Sequence, residues 1–358
     1  MLRYTAHNDQ VAKMSRSALA QATVWNQAVY RELRALIRKE HPQVAHFHNT
    51  LPLISPAAYY AARAEGVPVV QTLHNYRLLC PNALFFRKGG VCEDCLGKTF
   101  PWPGVVHACY RESRPASGTV AAMLSAHRTL GTWRGAVDLY VALTEFARRK
   151  FVEGGLPSEK IVVKPNFVHP DPGIGRARGD YVLFVGRLSE EKGLDTLLAA
   201  QEQLGKQVQF KLLGDGPLAP RVAEAARRQN LEWLGRLPKD RVVDIMKDAQ
   251  ALIFPSVWYE GFPMVIAEAY AVGLPVIASD LGSMSSLIEH GRTGLRFRPG
   301  DPEDLTGQVK WAMTHPAELG RMRQAARAKF ESEYTAERNY QLLRETYERI
   351  IHNGGHAS

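Results

Sequence analysis

Short runs of β-branched and aromatic residues alternate with segments of helical hydrophobic spacing along the second half of the chain. The runs lie at 181–185, 208–213, 231–234, 251–254 and 275–278, and the helical segments lie at 189–204, 218–229, 239–248, 263–272 and 284–290. Strands that alternate with helices of this length form βαβ units with parallel strands. Because the crossovers are right-handed, the pattern predicts a doubly wound, Rossmann-like α/β domain that binds ligands beyond the carboxyl ends of its strands.

The first half shows the same alternation with less regular spacing. Its predicted strands lie at 44–47, 67–73, 139–143 and 161–163, and its predicted helices lie at 17–39, 55–65, 117–130 and 145–152. A segment rich in Gly, Pro and Cys at 79–114 has little periodicity and is longer than an ordinary βα loop. We therefore predict a second Rossmann-like domain that contains an insertion.

Composition indicates where the two domains meet. Residues 166–180 contain three Gly, two Pro and charges of both signs, which is typical of a linker. The linker separates an N-terminal domain, residues 1–165, from a C-terminal domain, residues 181–330. Helical segments at 302–330 and 335–352 close the chain, and we expect the last helix, within 331–352, to return to the N-terminal domain.

Length and charge narrow the class of protein. A chain of 358 residues corresponds to about two domains. Its 45 Lys and Arg against 36 Asp and Glu favour anionic partners, such as nucleotide diphosphates, phospholipid surfaces or nucleic acid. Neither a secretory signal nor a membrane-spanning run is evident. We expect a cytoplasmic protein that can touch the inner face of a membrane; the basic segment at 147–150 is one candidate contact, although a solvated helix face is the simpler explanation.

The segment GRLSEEKG at 186–193 directly follows a predicted strand and begins a helix. Arg187 and Lys192 are placed to reach an anion held over the N-terminus of that helix. Ordinary solvated surface charges are the alternative interpretation of both residues.

Two carboxylates follow the predicted strand at 251–254. Glu260 lies in a loop, whereas Glu268 lies inside the next helix among apolar and small residues, where a carboxylate is normally paired or bound to ligand hydroxyls. Gly261 permits a tight turn, and the amides of Met264 and Val265 are unpaired donors at a helix N-terminus. The segment can therefore bind sugar or ribose hydroxyls and a phosphate; a salt-bridged core glutamate and a loop glutamate are the alternative.

In the first half, His74 follows a predicted strand and would face the cleft between the domains from its carboxyl end. Asn75 adjoins it, and His46, His48 and Asn49 lie at the end of the preceding strand, where they could line the same cleft. A lone histidine is more often a structural residue, and structural roles remain the alternative for all of these residues.

All four cysteines of the chain lie in the aperiodic insertion, as Cys80, Cys92, Cys95 and Cys109. Thiolates two residues apart can share a tetrahedral ion, and a second pair can complete a four-cysteine site for a structural zinc. The four sulfurs should then lie within about 4 Å of one another. Transient disulfides or free thiols are the alternatives.

Several motifs in the second half occur in a characteristic order. They are GR-x4-KG at 186–193, the GDGP turn at 214–217, LGRLP at 234–238, Glu-x7-Glu at 260–268, GLPVIASDLGS at 273–283 and GRTGLRFRPGDPEDL at 291–305. The GDG turn is not a GxGxxG fingerprint, which disfavours a dehydrogenase. Together the motifs resemble those of family 4 retaining glycosyltransferases of the GT-B fold.

This resemblance implies two Rossmann-like domains with the active site in the cleft between them and a nucleotide-sugar donor bound mostly by the second domain. It assigns the donor diphosphate to Arg187 and Lys192, the ribose hydroxyls to Glu268, and the hydroxyls of the donor sugar to Glu260. It also places His74 against the donor sugar and phosphate. The catalytic residues that it implies are Glu260, His74, Arg187 and Lys192. Its further donor-binding positions are Gly186, Gly214, Gly216, Leu237 (through the backbone near the base), Gly261, Phe262, Met264 and Val265.

The resemblance further implies front-face displacement with retention, an acceptor that is a glycan or a lipid-linked molecule, and no cofactor or obligatory metal for the chemistry. A glycosyl phosphorylase or sugar-phosphate synthase on the same scaffold is one alternative. Family members usually begin with a strand, a glycine-rich loop and a helix before the segment that RYTAHND matches, so we expect this chain to lack that unit. A non-catalytic nucleotide-sugar-binding relative is therefore a second alternative. Nucleic-acid binding is not expected, because the basic residues are dispersed.

Overall fold

The computed structural model describes residues 2–228 and 230–354. The chain divides into two compact units. The first comprises the described residues up to Phe85, Cys92–Lys164 and residues 342–354, and the second comprises Phe86–Val91 and the described residues of Pro165–Gln341. In the part of the chain that the structure describes, no helix has both the length and the apolar character that crossing a bilayer requires.

Four parallel strands form the sheet of the first unit, in the order β1-β2-β5-β6. The strands of this sheet are β1 Ala45–His48, β2 Val69–Leu73, β5 Leu139–Ala142 and β6 Ile161–Val163, whereas the intervening hairpin strands, β3 Phe86–Arg87 and β4 Gly90–Val91, belong to the second unit. The helices are α1 Arg16–Val24, α2 Gln27–Glu40, α3 Ala57–Ala64, α4 Trp102–Val106, α5 Arg114–Thr129, α6 Thr132–Gly135 and α7 Glu145–Glu153. The central strands β2 and β5 are buried along their whole length, as expected for strands inside a parallel sheet, although β2 contains the polar residues Gln71 and Thr72.

Six parallel strands form the sheet of the second unit, in the order β12-β11-β10-β7-β8-β9. They are β7 Tyr181–Val185, β8 Gln209–Leu213, β9 Leu231–Gly235, β10 Ala251–Phe254, β11 Val276–Ser279 and β12 Gly294–Phe297. The helices are α8 Leu194–Leu204, α9 Ala219–Arg228, α10 Lys239–Asp248, α11 Met264–Ala271, α12 Ser283–Leu287, α13 Pro302–Thr314, α14 Pro316–Glu333 and α15 Ala336–Gly354. The strand order reverses beside β7, which lies between β10 and β8, and such a switch point is where doubly wound sheets bind ligands.

Alternate residues of these strands enter two separate cores. Leu183 and Leu252 pack into one apolar cluster, whereas Val182 and Ile253 pack into another. Because successive side chains of a strand point to opposite faces, helices must cover both sides of the sheet. The predicted fold class, Rossmann-like and doubly wound α/β, is confirmed.

Three predicted helices are interrupted, each for a local reason. The helix predicted at 17–39 breaks where Trp25 is extended and Asn26 caps α2 by accepting a hydrogen bond from the amide of Val29. The helix predicted at 189–204 becomes a 3₁₀ helix, Glu190–Lys192, followed by α8, because Gly193 adopts a left-handed conformation with φ of 70°. The segment predicted at 302–330 divides at Pro316, which cannot continue a helix.

The insertion contains more regular structure than its sequence predicts, and the last helix contacts the first unit. The insertion predicted to lack periodicity contains the hairpin of β3 and β4 and the short helix α4. Within α15, the hydroxyl of Tyr347 lies 2.7 Å from Nδ1 of His46, and Arg349 donates to the carbonyl of Glu159 at 2.8 Å. The last turns of α15 are therefore part of the first unit.

Candidate functional site

The loops that follow β7, β8 and β9 are joined at the carboxyl edge of the second sheet. The amide of Gly186 donates to the carbonyl of Leu213, and the amide of Leu188 donates to the carbonyl of Asp215, each at 3.0 Å. The amide of Gly214 donates to the carbonyl of Gly235 at 2.8 Å. The predicted donor-binding glycines 186, 214 and 216 therefore lie together, beside the exposed side chain of Arg187.

Glycine is required in this loop contact for steric reasons. A Cβ at Gly216 would lie 2.5 Å from the carbonyl oxygen of Leu188, and a Cβ at Gly214 would overlap the carbonyl of Gly186. Both obstacles are backbone atoms, so a side chain at either position must displace a loop.

We expect Gly216→Ala to lower the free energy of unfolding of the second unit by about 1–3 kcal/mol, because the loops cannot separate without losing their hydrogen bonds. Gly307→Ala is the matched control: this position in α13 has open space around a Cβ, and alanine there should stabilise the helix by about 0.5–1 kcal/mol. Thermal unfolding of the two variants measures the difference, and equal melting temperatures would contradict the steric argument.

The loop after β7 also contacts the loop after β10. A Cβ at Gly193 would overlap the carbonyl oxygen of Pro255, and the amide of Val257 donates to the carbonyl of Glu191 at 3.0 Å. This contact brings Lys192 to Glu260, two predicted site residues that are 68 positions apart in sequence. Their side chains form an ion pair in which Nζ lies 2.7 Å from Oε1.

One carboxylate oxygen of Glu260 accepts three side-chain hydrogen bonds. Its Oε1 accepts from Nζ of Lys192, from Oγ of Ser256 at 2.8 Å and from Nε1 of Trp258 at 2.9 Å. The side chain of Glu260 is only 7% exposed and that of Lys192 is 19% exposed. The ammonium group also lies 5.4 Å from the ring centroid of Trp258 and 5.6 Å from that of Phe254. The pair is therefore held in a fixed geometry with little water around it.

Ser256 and Trp258 belong to no motif that the sequence pattern singles out. Their positions four and two residues before Glu260 are a usable signal, because a loop that follows a strand can fold its own donors onto a carboxylate. Both residues act on the same oxygen as Lys192.

Glu268 lies in α11, as predicted, and is half-buried. Burial raises the pKa of this carboxyl, and Lys239, whose Nζ lies 3.8 Å away, opposes the rise. At that distance the ammonium is a weak partner, and its side chain is 68% exposed. A partly desolvated carboxylate with so little compensation gains by accepting hydrogen bonds from ligand hydroxyls.

The turn between Glu260 and α11 places backbone donors at the same edge. Pro263 precedes the first helical residue, and the amides of Met264 and Val265 lie in the first turn, where no intrahelical partner exists for them. Oγ of Ser283 donates to the carbonyl of Gly261 at 3.2 Å and fixes the turn. Phe262 and Leu237 are half-buried against the core of the second unit.

In the first unit, three histidines and two hydroxyls form a network at the carboxyl ends of β1 and β2. Nε2 of His74 lies 2.7 Å from Nδ1 of His48, whose ring stacks on His46 with centroids 4.4 Å apart. His46 binds the hydroxyl of Tyr347 through Nδ1 and the hydroxyl of Thr72 through Nε2, both at 2.7 Å. His74 is thus one end of a connected polar cluster.

The electrostatics of this cluster keep its imidazoles neutral. Burial, with His48 and the almost fully buried Lys164 nearby, lowers the pKa of His74 to about 4. Burial, with His48, Lys164 and His74 nearby, lowers the pKa of His46 to about 3, and burial together with Lys164 lowers the pKa of His48. Asn75 donates to the side-chain oxygen of Asn49 at 3.3 Å beside the cluster. At neutral pH, His74 is a neutral hydrogen-bonding group.

These shifts make the stability of the first unit depend on pH. Below the ordinary histidine pKa of 6.5 the unfolded chain binds a proton that the folded unit excludes at His46 until about pH 3. The free energy of unfolding should therefore fall as the pH decreases through this window, by about 1.4 kcal/mol per pH unit for this imidazole.

His46→Gln removes this titrating group. The difference in free energy of unfolding between the wild type and this variant, which we call the stability gap, should therefore become smaller as the pH is lowered from about 7 to about 5. Hydrogen exchange in β1 and β2 measures the gap, with the exposed His107→Gln as control; equal narrowing in both variants would contradict the explanation.

The four cysteines are thiols outside any disulfide; Cys80 and Cys95 are buried, and Cys92 and Cys109 are half-buried. Burial raises the pKa of Cys95 to about 12, and the other three thiols add to this rise, so all four lie in one neighbourhood. The donor chemistry fits zinc. Across residues 2–228 and 230–354, however, no group of three or more His, Cys, Asp or Glu side chains is arranged to hold a metal ion. The close convergence of four sulfurs expected from the spacing is therefore not present.

Structural zinc binding remains a prediction that elemental analysis tests. A zinc-binding chain should be purified with about one zinc, and a chelator should loosen the 80–114 loop before either core melts. Absence of zinc in protein purified under reducing conditions would identify the cysteines as plain thiols.

Two family models match the chain in succession. Residues 18–172 match the model described as Glycosyltransferase Family 4, and residues 179–315 match the model described as Glycosyl transferases group 1. Together the two matches cover most of both units.

Individual relatives are glycosyltransferases and related synthases. The chain is 28% identical over 230 residues to the amylovoran biosynthesis glycosyltransferase AmsK of Erwinia amylovora. This alignment covers 60% of this chain and 56% of AmsK. It is 27% identical over 307 residues to the alpha-maltose-1-phosphate synthase of Mycolicibacterium smegmatis, which covers 82% of this chain and 72% of the synthase. The chain spans about half the length of the first curated relatives that it matches, from 38% to 56%.

The fold has a solved counterpart in Anabaena HepE in complex with UDP. The TM-score is 0.66 at 19% sequence identity, and the match covers 88% of this chain and 82% of HepE. At this identity the likeness shows the fold alone. The succession of two family matches, the order of the motifs and the two Rossmann-like units agree, and the chain therefore belongs to the family 4, group 1 glycosyltransferases of the GT-B fold.

Proposed function

We propose that this chain transfers a glycosyl group from a nucleotide-sugar donor to a glycan or lipid-linked acceptor, with retention of the anomeric configuration. The observation that carries the proposal is the buried pair of Lys192 and Glu260 at the switch point of the second sheet, next to the glycine loops and Arg187. A site of this kind offers cations and amides for a diphosphate and carboxylates for hydroxyls.

The chemistry consists mainly of stabilising the leaving group. As the bond between the sugar and the diphosphate breaks, negative charge grows on the phosphate oxygens, and Lys192, Arg187 and the amides of Met264 and Val265 offset it. An ammonium group has three donors. Lys192 uses one on Glu260, and we propose that the others serve the phosphate.

The carboxylates orient the donor. We propose that Glu260 accepts hydrogen bonds from the sugar hydroxyls and that Glu268 accepts from the ribose hydroxyls. Ser256, Trp258 and Lys192 all contact Oε1 of Glu260 and restrict its rotation. A carboxylate that is already fixed loses little conformational freedom when it binds hydroxyls.

We assign His74 to the donor sugar and phosphate, as the family resemblance implies. Its lowered pKa means that it acts as a neutral hydrogen-bonding group and not as a cation at pH 7. A neutral imidazole suits contact with a sugar hydroxyl, whereas charge stabilisation on the diphosphate then depends on Lys192 and Arg187.

The experiment is a screen of nucleotide sugars for release of the nucleoside diphosphate, first without and then with candidate acceptors. We expect slow donor hydrolysis with one donor and faster release when the acceptor is present, and NMR of the product should show the anomeric configuration of the donor. Tight nucleotide binding without turnover would instead support a non-catalytic binding protein. An inverted product would contradict the proposed stereochemistry.

A sugar-phosphate synthase is the second candidate, because the alignment with the alpha-maltose-1-phosphate synthase extends over 307 residues and covers 82% of this chain. The same screen separates the candidates when free sugar 1-phosphates are offered as acceptors. Faster diphosphate release with these small acceptors than with glycans or lipid-linked sugars would favour the synthase.

A further inference from the structure

The insertion before α5 carries three exposed apolar side chains within seven residues. Phe100, Trp102 and Val106 are 46%, 54% and 50% exposed. Trp102 is the first residue of α4, and Val106 is the last. A cluster of large apolar side chains at the surface usually marks contact with another surface.

The backbone that carries these side chains is fixed from below. The thiol of Cys95 donates to the carbonyl of Pro101 at 3.8 Å, and Gly104 packs so closely on Pro81 that an added Cβ would lie 2.9 Å from its ring. The amide of Cys109 donates to the carbonyl of Gly104 at 2.9 Å. Phe100, Trp102 and Val106 are therefore held on a rigid base, which lowers the entropy cost of any contact that they make.

The segment lies antiparallel along α5. Oγ of Ser125 donates to the carbonyl of Thr99 at 2.9 Å, and Val105 is in van der Waals reach of Gly118. In the same stretch of α5, the exposed residues Ala122 and Ala126 are small and uncharged. We call the surface formed by Phe100, Trp102, Val106, Ala122 and Ala126 the insertion patch.

In the described part of the chain, cations without an acidic partner lie on both sides of the insertion patch, and one of them, Arg111, lies over the ring of Tyr110. Lys98 precedes it, and Arg111 and Arg114 follow α4; all three are exposed, and no ion pair to them exists among the residues that the structure describes. Between residues 97 and 134 the chain has five Lys and Arg and a single acidic residue, Glu112. The surroundings of the patch therefore attract an anionic surface.

We propose that the insertion patch docks on an anionic phospholipid bilayer. Trp and Phe enter the boundary between headgroups and acyl chains, while Lys and Arg contact the headgroup phosphates. Neither a groove nor an acidic rim is needed for such a contact, and the patch combines exposed aromatic rings with uncompensated positive charge. The inference is independent of the glycosyl-transfer proposal, because it concerns a surface of the first unit and needs no turnover.

The basic segment at 147–150 is a weaker candidate for the same role. Arg148 pairs with Glu145 at 2.8 Å, and Lys150 pairs with Glu93 at 2.7 Å and with Glu153 at 3.0 Å. Ala147 is buried. Only Arg149 of this segment presents an exposed cation, so the insertion patch and not this helix carries the proposal.

Flotation of the full chain with vesicles tests the proposal. We expect binding to vesicles of phosphatidylcholine with phosphatidylglycerol, weaker binding to phosphatidylcholine alone, and a decrease as the salt concentration rises. The double variant Phe100→Ser, Trp102→Ser should lose at least about tenfold in apparent affinity, from the apolar area that it no longer buries. Lys98→Ala and Arg114→Ala should each lose about fivefold.

Matched controls come from exposed residues of the second unit. Tyr340→Ser removes an exposed aromatic residue that is 65% exposed, and Arg176→Ala removes an exposed cation. Both should bind vesicles like the wild type. Vesicles with brominated acyl chains should quench the fluorescence of the wild type more than that of Trp102→Phe, which places this side chain in the bilayer.

Three outcomes would overturn the proposal. The first is absence of binding to anionic vesicles by the wild type, and the second is an equal loss of affinity in patch and control variants. The third is a change of oligomeric state in solution when Phe100 and Trp102 are replaced. The last result would identify the patch as an interface between copies of this chain. Circular dichroism of each variant verifies that the surface substitutions leave the fold intact.

Discussion

Replacement of Lys192 by alanine should lower the turnover of glycosyl transfer by about 10²–10³, because a positioned donor to the departing diphosphate is lost in a site that excludes water. The KM for the donor should change less, since the charge on the diphosphate is greatest in the transition state. Steady-state kinetics with the donor found in the screen measures both parameters.

Lys211 provides a close control. Its Nζ lies 3.2 Å from Glu232 and 4.4 Å from the ring centroid of Tyr181, and its side chain is 23% exposed, so it has the same kind of surroundings as Lys192. Lys211→Ala should keep normal turnover if it folds equally well. Arg187→Ala should resemble Lys192→Ala, and near-normal turnover in both would contradict the assignment of these cations to the departing diphosphate.

Replacement of Glu268 by alanine should weaken the binding of nucleoside diphosphates by about 1.5–3 kcal/mol, because charge-assisted hydrogen bonds from the ribose hydroxyls are lost. Glu268→Gln should lie between the wild type and the alanine variant, since an amide oxygen still accepts. Isothermal titration calorimetry measures the affinities, and it does not require an acceptor.

The raised pKa of Glu268 predicts that the affinity for nucleotide depends on pH. Burial raises this pKa, and a protonated carboxyl is a poorer acceptor, so nucleotide affinity in the wild type should decline on acidification earlier than an ordinary glutamate would cause. Glu268→Gln should lack this decline. The exposed Glu202 of α8 serves as control: unchanged affinity in a folded Glu268→Ala variant, equal to that of Glu202→Ala, would refute the assignment.

The hydrophobic pattern was sufficient to predict the bounds of strands that consist of one continuous apolar run. The strands at 181–185 and 251–254 begin and end as predicted, because a continuous apolar run in an α/β alternation has few other solutions. By contrast, β12 at Gly294–Phe297 was not predicted as a strand. It is four residues long and contains Arg296, so its pairing depends on the neighbouring strand β11 and not on its own composition.

The residues of the site could be predicted from the sequence, but their contacts could not. The order of the motifs identified Lys192, Glu260 and Glu268 as site residues, whereas the ion pair that joins Lys192 to Glu260 between two loops is visible only in the structure. The contact of Tyr347 with His46 joins residues 301 positions apart, and nothing in the sequence of α15 distinguishes Tyr347 from other helical tyrosines. Only the three-dimensional arrangement reveals such partners, because they are chosen by packing and not by local propensity.

The first unit is discontinuous along the chain, and this has a consequence for synthesis on the ribosome. Its sheet is complete when Lys164 emerges, yet Tyr347 and Arg349, which hold His46 and the loop before β6, follow only after the entire second unit. At usual elongation rates the delay is roughly ten to forty seconds. During that interval the second unit can fold on its own, whereas the first unit still lacks Tyr347, the residue that binds its histidine cluster.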